Sequence, residues 1–137
     1  MKVVLDTNVL LAALPRTSET HLIFLKLIQG AYSLCLTTDI LNEYEEIFGQ
    51  RANPEVAARA LDVLDILPNI ARIQKYYLWR LITNDPDDNK FVDCAVAATA
   101  DFLVTDDRHF RVLKDIPFPI VKVIDSQEFL EMLKPII

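Results

Sequence analysis

The sequence has few of the residues on which common enzyme motifs depend. It contains only two glycines, Gly30 and Gly49, whereas a phosphate-binding P-loop and a dinucleotide-binding fingerprint both need clustered glycines. Its two histidines and two cysteines are too scattered for a zinc-protease helix or a zinc knuckle. No serine stands between glycines in a nucleophile-elbow pattern. These shortages exclude several widespread enzyme chemistries.

Long apolar runs are also missing. No run approaches the ~20 residues that cross a bilayer, and the strand-like segment KVVL directly after Met1 leaves no room for a signal peptide. We therefore expect no membrane association and a cytoplasmic location. Cys35 and Cys94 lie within apolar segments, which favours buried core residues over a disulfide. With 137 residues, 52% of them hydrophobic, and no repeat or linker, one domain over residues 1–137 is expected.

Positive charge is the scarcer sign. Lysine and arginine number 14 against 20 acidic residues, which gives a formal net charge of −6. Such a chain repels polyanions in bulk solution, which argues against nucleic-acid binding through a basic surface. It does not argue against a site in which cations lie between protein carboxylates and a phosphate. Carboxylate is thus the abundant functional group of this sequence.

Apolar, β-branched segments alternate along the chain with segments of helical pattern. Strands are predicted at 2–6, 32–38, 102–105 and 119–124, and helices at 7–14, 18–30, 38–48, 53–67, 85–100, 106–114 and 126–134. The stretch 70–82 is ambiguous and is predicted as one or two irregular strands. The alternation predicts an α/β fold, a three-layer α/β/α sandwich around a central, mostly parallel sheet.

Acidic residues follow two of the predicted strands. Asp6 ends the first strand, and Asp106 and Asp107 follow Thr105 at the end of the segment FLVT. In open parallel sheets, ligands bind outside the carboxyl ends of the strands. These acids are therefore expected to share one edge of the sheet.

Two further acids lie on predicted helices. Glu43 is at the margin of an apolar helix face, so we predict that it is half-buried, whereas Glu45 and Glu46 point to solvent. Asp93 interrupts the apolar segment FVDCAVAATA, and a buried charge needs compensation. If this helix begins near the strand ends, Asp93 can join Glu43 and the acids of the sheet edge.

Carboxylates gathered in this way repel one another unless a cation binds among them. Oxygen ligands suit Mg²⁺ or Mn²⁺. Such cations activate water and neutralise charge that develops on a phosphoryl oxygen. The pattern therefore predicts metal-dependent hydrolysis of a phosphodiester, with no need for a histidine base.

Four segments together resemble PIN-domain ribonucleases, and within them the toxins of bacterial and archaeal toxin–antitoxin systems. They are VVLDTNVLLAAL, TTDILNEYEEI, DPDDNKFVDCAVAATADFLVTDDRHF and VIDSQEFLEML. The resemblance covers nearly the whole chain and is weakest over residues 50–82. It implies a metal-dependent endoribonuclease with a parallel α/β/α fold and Mg²⁺ or Mn²⁺ as cofactor. It also implies an antitoxin protein as partner and a homodimer or higher homo-oligomer.

The resemblance further implies which residues form the site. The acids expected to bind the metal and to act in catalysis are Asp6, Glu43, Asp93 and Asp107, with Asn8, Asp88 and Thr105 in supporting positions. Asp106 stands where the family often has glycine, so Asp106 and Asp107 could exchange roles.

Other functions fit parts of this pattern. A response-regulator receiver also gathers acids around Mg²⁺, but it needs an early acidic pair, and Asp6 is single here. A phosphohydrolase with an aspartate nucleophile needs a second acid two residues on, where this chain has Asn8. A catalytically silent PIN-like module that binds protein or RNA is a further alternative.

An aromatic segment and several basic residues could contact RNA. Tyr76, Tyr77 and Trp79 could stack on bases, although core or dimer-interface packing is the alternative for aromatic residues flanked by leucine and isoleucine. Candidate phosphate contacts are Arg16, Lys90, Arg108 and Arg111. His21 and His109 are expected to be structural or exposed.

Overall fold

Five short strands form one sheet, and all of them run parallel. The computed structural model describes residues 1–136. The strands are β1 (Lys2–Leu5), β2 (Ser33–Leu36), β3 (Ile70–Arg72), β4 (Phe102–Val104) and β5 (Val123–Ile124), in the spatial order β3-β2-β1-β4-β5. Each neighbouring pair is parallel. The predicted α/β fold with a parallel central sheet is confirmed.

Helices fill the connections between the strands. They are α1 (Thr7–Ala13), α2 (His21–Ile28), α3 (Thr38–Arg51), α4 (Pro54–Ile66), α5 (Asn89–Ala98) and α6 (Ser126–Leu133), with 3-10 helices over Pro86–Asp88 and Arg108–Asp115. The start of α4 follows the sequence signal, because Asn53 accepts a hydrogen bond from Glu55 N over 2.9 Å and Pro54 occupies the first turn.

Several boundaries differ from the sequence-based prediction; for example, α3 ends at Arg51 rather than at residue 48, and the predicted helix over 106–114 is the 3-10 helix Arg108–Asp115. The predicted strand over 119–124 is reduced to Val123–Ile124, and α2 begins at His21 rather than near Ser18. The predicted helix over 85–100 begins instead with the 3-10 turn Pro86–Asp88, because the Asp85 side chain accepts a hydrogen bond from Asp87 N and tightens the first turn.

Most of the ambiguous stretch 70–82 is irregular. Only Ile70–Arg72 pairs in the sheet. Beyond it, side chains of α5 replace strand pairing as partners of the backbone: Asp93 accepts from Trp79 N over 3.0 Å, and Asn89 bonds both Ile82 N and Ile82 O. This segment is therefore fixed to α5 rather than to the sheet.

The core lies between the sheet and its helices. Strand β1 is fully buried from Val3 to Leu5, as expected for a parallel strand covered on both faces. Helix α5 packs against β1, β2 and β4. Cys35 and Cys94 are buried and unpaired, as the sequence predicts. Within residues 1–136, no helix combines the length and the apolar character needed to cross a membrane.

The strand order changes direction at β1, which is flanked by β2 on one side and β4 on the other. The connections that leave β1 and β4 at their carboxyl ends therefore diverge and open a crevice. Such a switch point is the usual ligand site in open parallel sheets. Asp6 and Thr105 immediately follow these two strands.

Candidate active site

A threonine joins the two strand ends at the switch point. Asp6 N donates to Val104 O over 3.0 Å, and Thr105 Oγ1 donates to Asp6 Oδ2 over 2.7 Å. The same Thr105 hydroxyl accepts from Asp107 N over 3.0 Å. The Thr105 hydroxyl therefore orients the Asp6 carboxylate and holds the backbone of Asp107. Contacts of this kind are what a residue in a supporting position is expected to make.

The Asp6 carboxyl is buried, with only 7% of the residue exposed. Burial raises the pKa of Asp6 from 3.8 to about 6, although the hydrogen bond from Thr105 opposes the rise. The negative charges of Glu43 and Asp107 raise this pKa further. Two acids predicted from other parts of the sequence thus lie close enough to act on Asp6 at the switch point.

Glu43 reaches this place because α3 is anchored to β1. The neighbouring Tyr44 is fully buried, and its hydroxyl donates to Leu5 O over 2.6 Å. The Glu43 carboxylate accepts a hydrogen bond from the Thr7 hydroxyl and pairs with Lys90, whose Nζ lies 2.7 Å from Oε1. Glu43 is half-buried, as its position at the margin of the apolar face predicts.

Lys90 is the main cation beside the acids. Its Nζ also lies 3.0 Å from Asp87 Oδ1, and only 12% of its side chain is exposed. Burial lowers the pKa of Lys90, but the hydrogen bonds to Glu43 and Asp87 outweigh burial and leave the pKa above its usual value. The lysine is therefore charged and holds Glu43 in place.

Asp88 is the most electrostatically strained acid of the group. Its Oδ2 is buried and has no hydrogen-bond partner within residues 1–136. Burial raises the pKa of Asp88 to about 7, the charges of Asp85, Asp107 and Asp6 raise it further, and His109 lowers it. A buried carboxylate oxygen without a donor indicates that another species completes the site.

A divalent cation fits this arrangement. One ligand atom from each of Asp85, Asp88 and His109 lies within 4.8 Å of the other two. His109 Nδ1 is 3.8 Å from Asp88 Oδ2 and 3.5 Å from Asp107 Oδ1. A cation among these groups would supply the partner that Asp88 lacks and would offset the repulsion between Asp88, Asp107 and Asp6. The donor set is mostly oxygen, which suits Mg²⁺ or Mn²⁺.

Asp93 lies elsewhere in the structure than the sequence analysis expected. Its Oδ1 accepts from Trp79 N over 3.0 Å. Burial raises the pKa of Asp93, and Asp39 adds to the rise, whereas the Trp79 hydrogen bond and Lys75 lower it. The neighbours of Asp93 are thus the groups of the irregular segment and the start of α3, and its role as a metal ligand stays a prediction.

Helix geometry explains this displacement. Asp93 follows Asp88 by five residues, which corresponds to about 140° around the helix axis and ~7.5 Å along it. With Asp88 at the strand ends, Asp93 is one turn deeper and faces the segment that contains Trp79. The structure thus brings Asp88, which was predicted only as a supporting residue, close to Asp6 and Asp107.

Two other predictions concern the loops beside the site. Asn8 lies exposed on the first turn of α1. The Asp106 carboxylate accepts from Ser126 N over 2.9 Å and from Ser126 Oγ over 2.8 Å, so it is directed to α6. Asp107 instead acts on Asp6 and also caps the following 3-10 helix through His109 N. In this structure Asp107 rather than Asp106 thus acts on Asp6, and the assignment of the metal ligand to Asp107 stays a prediction.

Sequence reasoning missed two groups of the site. Thr7 bonds Glu43, but a threonine on the first turn of a helix carries no sequence signal for that contact. His109 was expected to be structural or exposed; its side chain is 44% exposed, and its ring also lies beside Asp88 and Asp107, which was not foreseen. The sequence signal for His109 is its position two residues after Asp107, because Asp107 caps the 3-10 helix and His109 lies in the first turn of that helix.

Comparison with known proteins agrees with this geometry. The family model described as PIN domain matches residues 2–109. Among solved structures, the chain is similar to a chain in the crystal structure of VapBC2 from Rickettsia felis bound to a DNA fragment from their promoter. The TM-score is 0.63 and the sequence identity is 21%, and the match covers 91% of this chain and 98% of that chain. It is also similar to one in FitAcB from Neisseria gonorrhoeae, with TM-score 0.58 and 16% identity over the same shares, 91% and 98%.

At these identities the two structures show a shared fold and no more. A comparison with curated proteins found no significant match. The family model, however, spans most of the sequence and includes Asp6 and Asp107 after their strands and Glu43 on α3. The chain therefore belongs to the PIN-domain family of nucleases.

Proposed function

We propose that this protein is a metal-dependent endoribonuclease that hydrolyses RNA phosphodiester bonds. The observation that carries the proposal is the acid cluster, defined as Asp6, Glu43, Asp88 and Asp107, in which Asp6 is buried and Glu43 and Asp88 are half-buried. Burial and mutual repulsion raise the pKa of Asp6 to about 6 and that of Asp88 to about 7. A fold keeps such groups together where a bound cation compensates for them.

The four acids of the cluster would hold Mg²⁺ or Mn²⁺, with Asp85 and His109 near enough to take part. The bound cation supplies an activated water and neutralises charge on a phosphoryl oxygen. Asp93 is still a sequence-based prediction for a ligand, and the geometry favours Asp88 for that place.

The other residues of the site orient the acids. Thr105 fixes the Asp6 carboxylate by donating to Oδ2, and Thr7 does the same for Glu43. Lys90 holds the second oxygen of Glu43 and places a positive charge at the rim of the cluster. An ammonium group there is suited to receive a phosphate of the substrate, as the sequence analysis expected of Lys90.

The biological setting is proposed on the same basis. The resemblance of the sequence to toxins, together with the fold shared with chains of the VapBC2 and FitAcB structures, supports a toxin that a cognate antitoxin protein neutralises. The resemblance also supports a homodimer or higher homo-oligomer. Co-expression with the product of an adjacent small reading frame, followed by co-purification, tests the antitoxin proposal.

The direct test is cleavage of a mixed set of RNA oligonucleotides by the wild type and by Asp6→Asn. Cleavage should require Mg²⁺ or Mn²⁺, stop in EDTA, and fall by at least about a thousandfold in the variant because a metal ligand is lost. Asp106→Asn is the matched control, since Asp106 bonds α6 instead of the cluster. Metal binding without cleavage would favour the alternative, a silent Mg²⁺-binding module.

A further inference from the structure

A cavity of about 550 Å³ lies next to the acid cluster and is not used by the proposed mechanism. It lies under the irregular segment after β3, and its lining includes Asp39, Lys75, Leu78, Asn89, Lys90 and Asp93. Lys90 belongs to both places, because it lines the cavity and pairs with Glu43. A molecule in this cavity would therefore touch the rim of the proposed catalytic site.

The roof of the cavity is a fixed part of the fold. Asn89 bonds Ile82 through two hydrogen bonds of 2.9 and 2.8 Å. Asp93 holds Trp79 N, and Lys75 pairs with Asp39 over 2.5 Å. Four side chains thus keep the segment over a space that lies within the range of about 300–1,000 Å³ typical of small-ligand pockets.

The lining combines apolar walls with an available carboxylate acceptor. Leu78, Ile82 and Pro86 supply apolar walls. Asp93 lines the cavity and uses Oδ1 for Trp79 N, so within residues 1–136 its Oδ2 is left as an acceptor. A carboxylate can only accept, so the complementary group is an N–H donor on the edge of a flat molecule.

Positive charge lies in the wall of the cavity, and an aromatic cluster lies outside the lining, centred on Trp79 between the lining residues Leu78 and Arg80. Arg80 lines the cavity and takes part in no ion pair within the described part of the chain. Trp79 contacts the Tyr77 ring at 4.6 Å and the Phe118 ring at 5.8 Å between centroids. Tyr77 is 63% and Phe118 is 76% exposed. Aromatic faces beside a cation are what unpaired nucleotides bind in single-stranded RNA.

We propose that this cavity, here named the base pocket, receives an unpaired nucleobase of the RNA that flanks the scissile phosphate, with Asp93 accepting from its exocyclic amino group. The inference rests on the proposed function and deepens it by naming a determinant of sequence preference. Cytosine presents an amino donor to a carboxylate and uracil presents a carbonyl in the same place. The base pocket therefore prefers cytosine to uracil.

The pocket shape favours RNA over a protein partner. A second copy of the chain or another protein would cover the exposed rings of Tyr77 and Phe118, but it would not need a cavity that extends to Lys90 and Asp93. Protein association is therefore an outcome that the test must be able to detect.

The experiment uses the fluorescence of Trp79, the only tryptophan in the chain. Wild-type protein is titrated in EDTA, where cleavage stops, with unpaired hexamers of cytidine or uridine carrying 2′-O-methyl groups. The cytidine hexamer should quench the fluorescence and bind at least about fivefold more tightly than the uridine hexamer. Asp93→Asn should abolish or reverse this preference, because an amide also donates to the uracil carbonyl.

A second variant and a control variant test the contribution of the aromatic cluster. Trp79→Ala, followed by anisotropy of a labelled hexamer, should weaken binding of both hexamers about tenfold because one stacking surface is lost. Ile66→Ala removes an exposed apolar side chain on α4, outside the cavity lining, and should change nothing. Thermal melting establishes that each variant is folded, and the preference of the wild type needs no variant at all.

The possible results separate this inference from the proposed function. Equal affinity of the wild type for both hexamers, or fluorescence that changes only with protein concentration, overturns the base pocket. The second result would instead assign the aromatic rings to association between copies. A cytidine preference in a protein that cleaves no RNA with Mg²⁺ or Mn²⁺ supports the base pocket and refutes the nuclease.

Discussion

Thr105 Oγ1 donates a hydrogen bond of 2.7 Å to Asp6 Oδ2 and thereby joins two strand ends that are 99 residues apart in the sequence. The same hydroxyl accepts from Asp107 N. One small side chain thus sets the direction of the most buried acid of the cluster and the position of the loop that carries a second acid. Partners of this kind are as important to a metal site as its ligands.

Replacing Thr105 with valine tests this relationship. Thr105→Val keeps the volume but removes the hydrogen bond that lowers the pKa of Asp6, so the Asp6 pKa should rise above about 6. Affinity for Mg²⁺ should fall about tenfold, the usual effect of losing a partner of a ligand. Calorimetric metal titration measures the change. Thr105→Ser should behave as the wild type, and an unchanged affinity in the valine variant would contradict the assigned role.

The pH dependence of stability follows from the raised pKa values. In EDTA the folded protein keeps protons on Asp6 and Asp88 up to pH of about 6 and 7, whereas unfolded carboxyls lose theirs near 3.8. Between these limits the folded state binds more protons, so the free energy of unfolding should decrease as pH rises from about 4 to 7. Urea denaturation at a series of pH values measures the slope.

Asp6→Asn should flatten that slope and stabilise the metal-free protein at neutral pH by about 1–2 kcal/mol, since a buried charge is removed. Asp62→Asn, on the exposed side of α4, is the control and should leave the slope as it is. A slope equal in both variants would mean that Asp6 is not the group responsible.

Divalent cations should reverse this loss of stability. Mg²⁺ at a hundred times its Kd should stabilise the folded protein by about 2.7 kcal/mol near neutral pH. The gain in Tm should be smaller near pH 5, where protons occupy Asp6 and Asp88 and compete with the cation. Differential scanning calorimetry with Mg²⁺ and with matched ionic strength of NaCl separates binding from screening. Equal shifts with both salts would argue against a specific site.

Lys90 should weaken the binding of a cation through charge repulsion, although it also holds Glu43 in place. Lys90→Met removes the ammonium 2.7 Å from Glu43 Oε1, so the metal-free protein should lose stability while affinity for Mn²⁺ rises several-fold, because a neighbouring positive charge is gone. Lys90→Arg keeps the charge and should retain the affinity of the wild type. Weaker Mn²⁺ binding in Lys90→Met would show that orientation of Glu43 outweighs repulsion.

Much of this organisation is predictable from sequence. Asp6 and Asp107 follow buried strands, and parallel strands place such residues at one edge whatever the details of the loops. Glu43 is recognisable because the apolar face of α3, with buried Tyr44 and Phe48, defines its margin. These inferences need only the period of each element and the direction of its chain.

The choice between Asp88 and Asp93 needs more than periodicity. Periodicity gives the sector of a helix on which a residue lies, but not the rotation of that helix relative to the strands. The rotation of α5 depends on the 3-10 turn Pro86–Asp88 and on the contact of Asp93 with Trp79. Both involve an irregular segment whose conformation is set by tertiary contacts, so the sequence alone could not predict it.

The most direct test of the acid cluster is Mn²⁺ binding measured by electron paramagnetic resonance for the wild type, Asp88→Asn and Asp93→Asn. The two variants remove the same charge from the same helix, five residues apart. We predict saturable binding by the wild type, a loss of at least about tenfold in Asp88→Asn and near-normal affinity in Asp93→Asn. Normal binding by Asp88→Asn together with loss of binding in Asp93→Asn would contradict the account.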